Sequence, residues 1–479
     1  MTNGTPAADG LVTADIAWSS SNPHLCGNFA PIGPERDVAG LQVIAGRIPV
    51  ELRGAYMRNG PNPLYEPISY AYPMDGDGMI HAVQLDGGRA RYRNRFVRTR
   101  GLAVERRAGR AVYGGLMRPV PVDPAIAGVQ GERGPIKNGA FNNVIRHGDA
   151  LLAVGEAAPA YELTADLQTI GEWRAGTGRA VRLGAHNRRH PRTGALWSLV
   201  HSVTGPAAQL HEIDAAGRWR RSVPIALPAP SMIHDFALTE RHVVLVVGPA
   251  VFDAAGARRG RPLLQWRPAL PTRIAVVPLD GGDLVWLETD ACFVSHFANG
   301  FERGGEIVVD YVRHPSIRLG CADRPAIPPR LHRAVLDPVR RRVRDEQLAP
   351  VEVELPRIDP RREALPTRFV YAAALTGEAG ATRPPSGSFN AIVRIDAATG
   401  AIACHDFGHA LVGEPAFVPR GRTGDEDDGY LALFAHDPVN GTSDLILLDA
   451  ARVEAAPVAV IRLPQRVPQG LHGNWIPRR

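Results

Sequence analysis

The apolar runs of this chain are short, and turn residues bound nearly all of them. Gly148-Asp149 precedes ALLAVGE, Thr193-Gly194 precedes ALWSLVHSV, Arg241 precedes HVVLVVG, Gly304-Gly305 precedes EIVVDYV, and Gly429 precedes YLALFAHD. Such runs read as buried β-strands. Several are followed by a polar stretch and a second strand with an acidic turn: YELTADLQT, LHEIDAAGRW, IVRIDAATGAIACHDFG and LILLDAARVEAA. The unit is strand, turn, strand. It recurs about every 50 to 70 residues, so about seven units fit the chain, as in large irregular blades of a β-propeller. A sandwich or stacked barrels would use similar strands. Gly 50 and Pro 42 among 479 residues leave too many breakers for a mostly helical protein. Helices are expected only in insertions, with 116–130 and 321–345 the loosest stretches. Residues 1–20 are expected to form a disordered leader, 374–386 an exposed loop, and 21–479 a single domain.

Charge narrows the class of partner. Lys+Arg 55 against Asp+Glu 49 gives +6 without a basic run, so nothing calls for a nucleic acid. Lys137 is the single lysine. Cys26, Cys292, Cys321 and Cys404 show no CxxC and no framework spacing, which argues against a disulfide scaffold or a thiolate zinc site and makes a reducing cytoplasm the expected location. No run reaches 18 apolar residues without charge, so no membrane-spanning helix is expected.

Of 16 histidines, four stand where strand-like apolar residues meet a local turn: His186 in LGAHNRRHPRTGALW, His234 in SMIHDFALTE, His296 in CFVSHFANGFE and His472 in VPQGLHGNW. No two of these four have the i,i+4 spacing of a helical zinc site. Widely separated histidines suit a propeller, where each inner strand can send one side chain to the axis. Four neutral imidazoles leave the charge of a divalent ion uncancelled and, in an octahedron, leave open positions, which suits iron(II) with dioxygen. Zinc would more often take three ligands and a water. Glu156, Glu354 and Glu414 lie at comparable strand ends and are candidates to accept the outer N–H of such imidazoles. Asp75-Gly76-Asp77-Gly78 lacks EF-hand spacing and reads as a tight turn, and the acidic run 425–428 reads as a solvated one.

Several longer motifs occur in order along the chain. They are Asn22-Pro23-His24-Leu25 with Gly27-Asn28-Phe29-Ala30-Pro31, Gly46-Arg47-Ile48-Pro49, Arg58-Asn59-Gly60-Pro61-Asn62-Pro63 and Met74-Asp75-Gly76-Asp77-Gly78-Met79-Ile80-His81. Met232-Ile233-His234-Asp235-Phe236-Ala237, Cys292-Phe293-Val294-Ser295-His296, Leu355-Pro356-Arg357-Ile358-Asp359-Pro360 and Leu471-His472-Gly473-Asn474-Trp475 complete the set. Together they resemble the carotenoid cleavage oxygenases.

The resemblance implies an all-β, seven-bladed β-propeller with a loop and helical dome over the iron-bearing face. It implies one Fe(2+) per chain on His186, His234, His296 and His472, with Glu156, Glu354 and Glu414 behind them, and O2 as co-substrate. His190 lies close to His186, and the spacing to Pro191-Arg192-Thr193-Gly194 favours His186. The implied reaction is cleavage of a conjugated C=C bond of a carotenoid or apocarotenoid to two carbonyl products. A second branch of the family cleaves stilbenes and phenylpropenes, gripping a phenol with a Tyr and a Lys. Lys137, beside Phe141, matches the lysine of that clamp, but the tyrosine falls near apolar Leu116. Leu116, Met117, Val120, Pro121 and Ile126 are the expected apolar mouth of a substrate tunnel, where a peripheral membrane contact is open. An isomerohydrolase, or a metal-bound binding protein without turnover, would keep the same four histidines.

Overall fold

A computed structural model describes residues 10–478 apart from 129–130, 133, 135, 318, 320–326 and 378–383. Strands dominate it, and seven antiparallel sheets stand as blades around one axis. Blade I holds Gly54–Arg58, Met79–Asp86 and Arg89–Phe96, with Asp37–Ala39 outside and Gly473–Pro477 inside. Blades II to VI follow in chain order, each opening on its inner strand: Asn143–His147, Asn187–Arg189, Ala237–Leu238, Phe293–Arg303 and Val353–Arg357. Blade VII runs from Ala416–Pro419 through Gly429–Asp437, Thr442–Asp449 and Ala459–Arg462, then borrows Val43–Gly46 from the N-terminal end as its outer strand. Consecutive inner strands touch around most of the axis. The ring is therefore sealed twice, by a C-terminal strand in blade I and an N-terminal strand in blade VII, so no sheet edge faces the gap.

The apolar runs became central strands, buried on both faces because neighbouring blades cover each side. Ala150–Val154 is buried throughout, as are Leu196–His201 and almost all of Gly429–Asp437. Their side chains form inter-blade layers, for example Val244, Val246, Ile274 and Val276 of blade IV against Val309, Tyr311 and Leu336 of blade V.

Two expectations need correction. Within 321–345, residues 330–337 and 342–347 are the third and fourth strands of blade V rather than a loop. The outer strand alternates Arg, Val, Arg, Asp, Glu and Gln and is almost wholly exposed, so it carries no apolar periodicity to betray it. The acidic run is not merely solvated: the Glu426 carboxylate accepts from the backbone N–H of Arg368 and Phe369, and Asp427 pairs with Arg394. Residues 10–20 of the expected leader are held to the body, Val12 N–H donating to Glu35 and Trp18 Nε1 to the Leu64 carbonyl. Residues 1–9 and Cys321 lie outside the described residues, as does 378–383 of the expected 374–386 loop.

Insertions leave the blades between their strands. They include a small sheet of Ala250–Phe252 with Leu264–Trp266 and the helix Arg100–Ala108. That helix begins at Thr99, whose side chain accepts from Leu102 N–H, and ends at Gly109 with φ +66°, a conformation that glycine adopts freely.

Candidate metal centre

The four histidines nominated from sequence converge. One ring nitrogen from each of His186, His234, His296 and His472 lies within 4.8 Å of all the others. Each sits at the head of an inner strand or within one: His186 before Asn187–Arg189, His234 shortly before Ala237–Leu238, His296 in Phe293–Arg303, and His472 before Gly473–Pro477. His190 is elsewhere, its Nε2 on the Glu240 carbonyl and its Nδ1 taking N–H bonds from Arg192 and Thr193. It organises a turn.

Local irregularities aim the rings. The strand carrying His296 shifts register between Val294 and Phe297, and the strand carrying Glu354 shifts between Glu354 and Arg357. Such bulges re-aim a side chain at the expense of one ladder position. Leu355 follows Glu354 with φ +55°, and Ala157 follows Glu156 with φ +48°. Both are left-handed conformations that a non-glycine residue adopts only under constraint.

The three glutamates each take one imidazole. Glu156 lies 2.6 Å from His234 Nδ1, Glu354 2.5 Å from His296 Nδ1 and Glu414 3.1 Å from His472 Nδ1. An ionised carboxylate only accepts, so each fixes the proton on Nδ1 and leaves the Nε2 lone pair free. Those nitrogens face inward. His296 Nε2 is buried without any partner, and His186 Nε2 stands 3.2 Å from His234 Nε2. A buried, unpaired polar atom costs about 1–3 kcal/mol, and converging lone pairs repel. A cation among them removes both penalties, so the donor set fits a divalent transition metal.

Electrostatics point the same way. Burial, reinforced by His472, His234 and His296, draws His186 well below the ordinary histidine range. Burial also lowers His472, against the pull of Glu414. For His234 burial acts downward, but Glu156 outweighs it and the net shift is upward. Burial would raise Glu414, yet Arg357, His472 and the Gly473 N–H hold it at about 2. Burial would likewise raise Glu354, yet His296 and His314 hold it well below the usual carboxylate range, so Glu354 and Glu414 bring negative charge that a dication offsets.

His186 has no glutamate. Its nearest carboxylate, Asp235 Oδ2, is 3.8 Å from Nδ1, beyond hydrogen-bond reach. Asp235, whose side chain is fully buried, instead accepts from Arg188 at 2.5 Å and from the N–H groups of Phe236 and Phe297 at 2.7 and 2.8 Å. One carboxylate thus pins residues adjoining three of the four histidines. It lay inside the quoted motif MIHDFA, where its lack of a partner in sequence hid the role. A second residue that sequence reasoning missed is His314, whose Nε2 lies 2.5 Å from Glu354.

Two cavities meet at the centre. The first, about 260 Å³, reaches His234, His296 and His472 and is walled by Met74, Met232, Phe293, Ile317, Leu355 and Leu471 among others. The second, about 180 Å³, reaches His186 and His296 from the other side and is polar, with Arg188, Asp235, Arg357, Glu363 and Asn474 in its wall.

The candidate substrate contacts fall differently. Lys137 Nζ is held 2.5 Å from both Asp77 and Glu105, and with Phe141 it lines a separate cavity of about 30 Å³. The phenol clamp is therefore not assembled around Lys137: its charge is already matched twice. Leu116 and Met117 pack beside Met232 and Phe293, behind the first cavity's wall, whereas Ile126 packs on Val104, Val112 and Tyr113.

Fold and site together define a β-propeller whose axis carries an all-imidazole metal-binding cluster. Residues 29–477 match the family model described as Retinal pigment epithelial membrane protein. The chain is 32% identical to the carotenoid cleavage oxygenase of Mycobacterium tuberculosis over 98% of this chain and 100% of that one. It is 30% identical to the apocarotenoid-15,15'-oxygenase of Synechocystis, covering 91% of this chain and 92% of the relative. The crystal structure of Pseudomonas brassicacearum lignostilbene dioxygenase superposes with a TM-score of 0.88 at 28% identity, covering 96% and 99% of the two chains. The chain belongs to the carotenoid cleavage oxygenase family, and it is an oxidoreductase that uses oxygen. Among the described residues no helix is long and apolar enough to cross a membrane.

Glu414→Gln tests the carboxylate support. The amide keeps the shape of the side chain but removes the charge that fixes Nδ1–H of His472. Metal affinity or turnover is expected to fall about 10- to 100-fold, read by metal titration and initial rates; values equal to wild type would remove Glu414 from the centre.

Proposed function

We propose that the protein is an iron(II) dioxygenase that cleaves a conjugated C=C bond of an apocarotenoid or carotenoid into two carbonyl products. The observation that carries this reading is the cluster of inward-facing imidazole nitrogens opening directly onto an apolar cavity. Both bonds of the alkene break, each carbon takes one atom of O2, and no external reductant enters the balance. Iron(II), held by His186, His234, His296 and His472, supplies the binding and activation of dioxygen.

The chain's own residues do the rest. Glu156, Glu354 and Glu414 keep protons on the outer nitrogens, and Asp235 ties the inner strands so that the rings hold their spacing. Met232, Phe293 and Leu471 present apolar surface to a flat polyene and exclude water from the reacting bond. At about 260 Å³ the cavity lies just below the roughly 300–1,000 Å³ usual for small-molecule sites, which favours a shortened polyene over an intact carotenoid. The likeness to a lignostilbene dioxygenase supports a second reading, cleavage of a stilbene. An apolar substrate drawn from a lipid surface would make a peripheral membrane contact at the cavity mouth useful.

The deciding experiment is incubation of iron-loaded protein with apocarotenals and with resveratrol under labelled oxygen gas. Cleavage of an apocarotenal with gas-derived label in both carbonyls, after correction for exchange, is expected. Faster turnover of resveratrol would favour the second reading, and label from water alone would overturn both in favour of hydratase or isomerase chemistry.

A further inference from the structure

His314 ends the second strand of blade V, opposite Phe293 of the inner strand. It lies in the wall of the apolar cavity with Ser295, His296 and Glu354. Glu354 is shared: Oε2 is 2.5 Å from His296 Nδ1, and Oε1 is 2.5 Å from His314 Nε2. Ser295 Oγ stands 3.1 Å from the same His314 nitrogen. Since the carboxylate can only accept, the Nε2 proton of His314 is fixed toward Glu354. In the neutral ring Nδ1 must then be an acceptor. No bond to Nδ1 occurs among the described residues, and this atom is not among the sealed, unpartnered ones. In its neutral form the ring thus offers an acceptor of fixed orientation in a wall that also carries Met74, Met232, Phe293, Ile317 and Leu471.

We propose that His314 is a specificity-determining residue that accepts a hydrogen bond from a hydroxyl group on the conjugated substrate. This rests on the dioxygenase reading and narrows its substrate to hydroxylated molecules, whether the hydroxyl is a ring alcohol of an apocarotenoid or a phenol of a stilbene. Besides Tyr72, Asn142, Ser295 and Gln469 in the same wall, His314 offers an acceptor held in place by Glu354, and an oriented acceptor discriminates because an analogue without the hydroxyl leaves it unpaired. Lys137, bound to two carboxylates, is not available for that task.

The test compares wild type, His314→Phe and His314→Gln on two matched pairs. One pair is an apocarotenal with and without a ring hydroxyl; the other is resveratrol and its analogue lacking the lone phenol of the monohydroxylated ring. Wild type is expected to favour the hydroxylated member of one pair at least 10-fold in kcat/KM, and which pair responds identifies the source of the hydroxyl. His314→Phe should abolish that preference, and His314→Gln, whose amide can donate to Glu354 and still offer a carbonyl, should restore part of it.

Binding of each compound to the metal-loaded proteins, followed by fluorescence quenching, gives the same comparison without turnover. Equal loss on both members of a pair, or a preference that survives in His314→Phe, overturns the assignment. If no compound is cleaved but His314-dependent binding of the hydroxylated member persists, the dioxygenase reading falls and the subsite stands.

Discussion

Protein carrying His234→Ala is expected to emerge from purification with less than a tenth of the metal bound by wild type, and with turnover reduced by more than the 10–100-fold typical of an outer partner. The substitution removes one of four imidazoles and also strands Glu156, whose 2.6 Å bond to Nδ1 it deletes. A half-buried carboxylate without its donor destabilises by about 1–3 kcal/mol at most, so folding must be checked by circular dichroism before metal content is read. His190→Ala is the control. It removes a nearby histidine that organises a turn through Glu240, Arg192 and Thr193, and it should leave metal content unchanged. Full metal content and full turnover in His234→Ala would discard the four-imidazole centre.

Deleting residues 473–479 should have the larger effect on folding. The strand Gly473–Pro477 pairs along all of Gly54–Arg58, from Arg58 opposite Gly473 to Gly54 opposite Pro477. Asn474 Nδ2 crosses to the next blade, donating to Asn143 Oδ1 and the Val144 carbonyl at 2.9 Å each. Without it blade I loses its inner strand, blades I and II lose one of the links between them, and an unpaired edge opens on the axis. The expected outcome is loss of the cooperative thermal transition with recovery as aggregate. A monomeric truncated protein with a wild-type melting profile would show that the ring does not need this strand. Asn474→Ala, which leaves the ladder intact, should lower stability by about 1–3 kcal/mol through the lost bonds to Asn143, the Val144 carbonyl and Arg357.

Central strands were legible in sequence because a propeller buries them on both faces and so demands unbroken apolar runs, as in HVVLVVG and YLALFAHD. The outer strands were not, since one face meets solvent and residues 342–347 could be almost wholly charged. The four histidines and three glutamates were legible through their setting of apolar strand ends and through the family motifs around them. Asp235 and His314 escaped for a common reason. Their partners, Arg188, Phe297 and Glu354, are brought near by register between strands and by packing between blades, which no local pattern records. Lys137 shows the converse: matching a motif located it, but Asp77 and Glu105, distant in sequence, determine what its charge does.

Because the imidazoles come from blades III, IV, V and I, the centre is complete only once the C-terminal strand has joined blade I. Metal capture must wait until the last circuit of the barrel-like ring has joined the first, after the slow non-local pairings that limit such topologies. Any ion bound only by the finished form pulls the folding equilibrium toward it. The rate at which refolding protein takes up metal is therefore a clock for topological completion, and metal-starved cells should accumulate a pool that is finished in shape but easier to unravel.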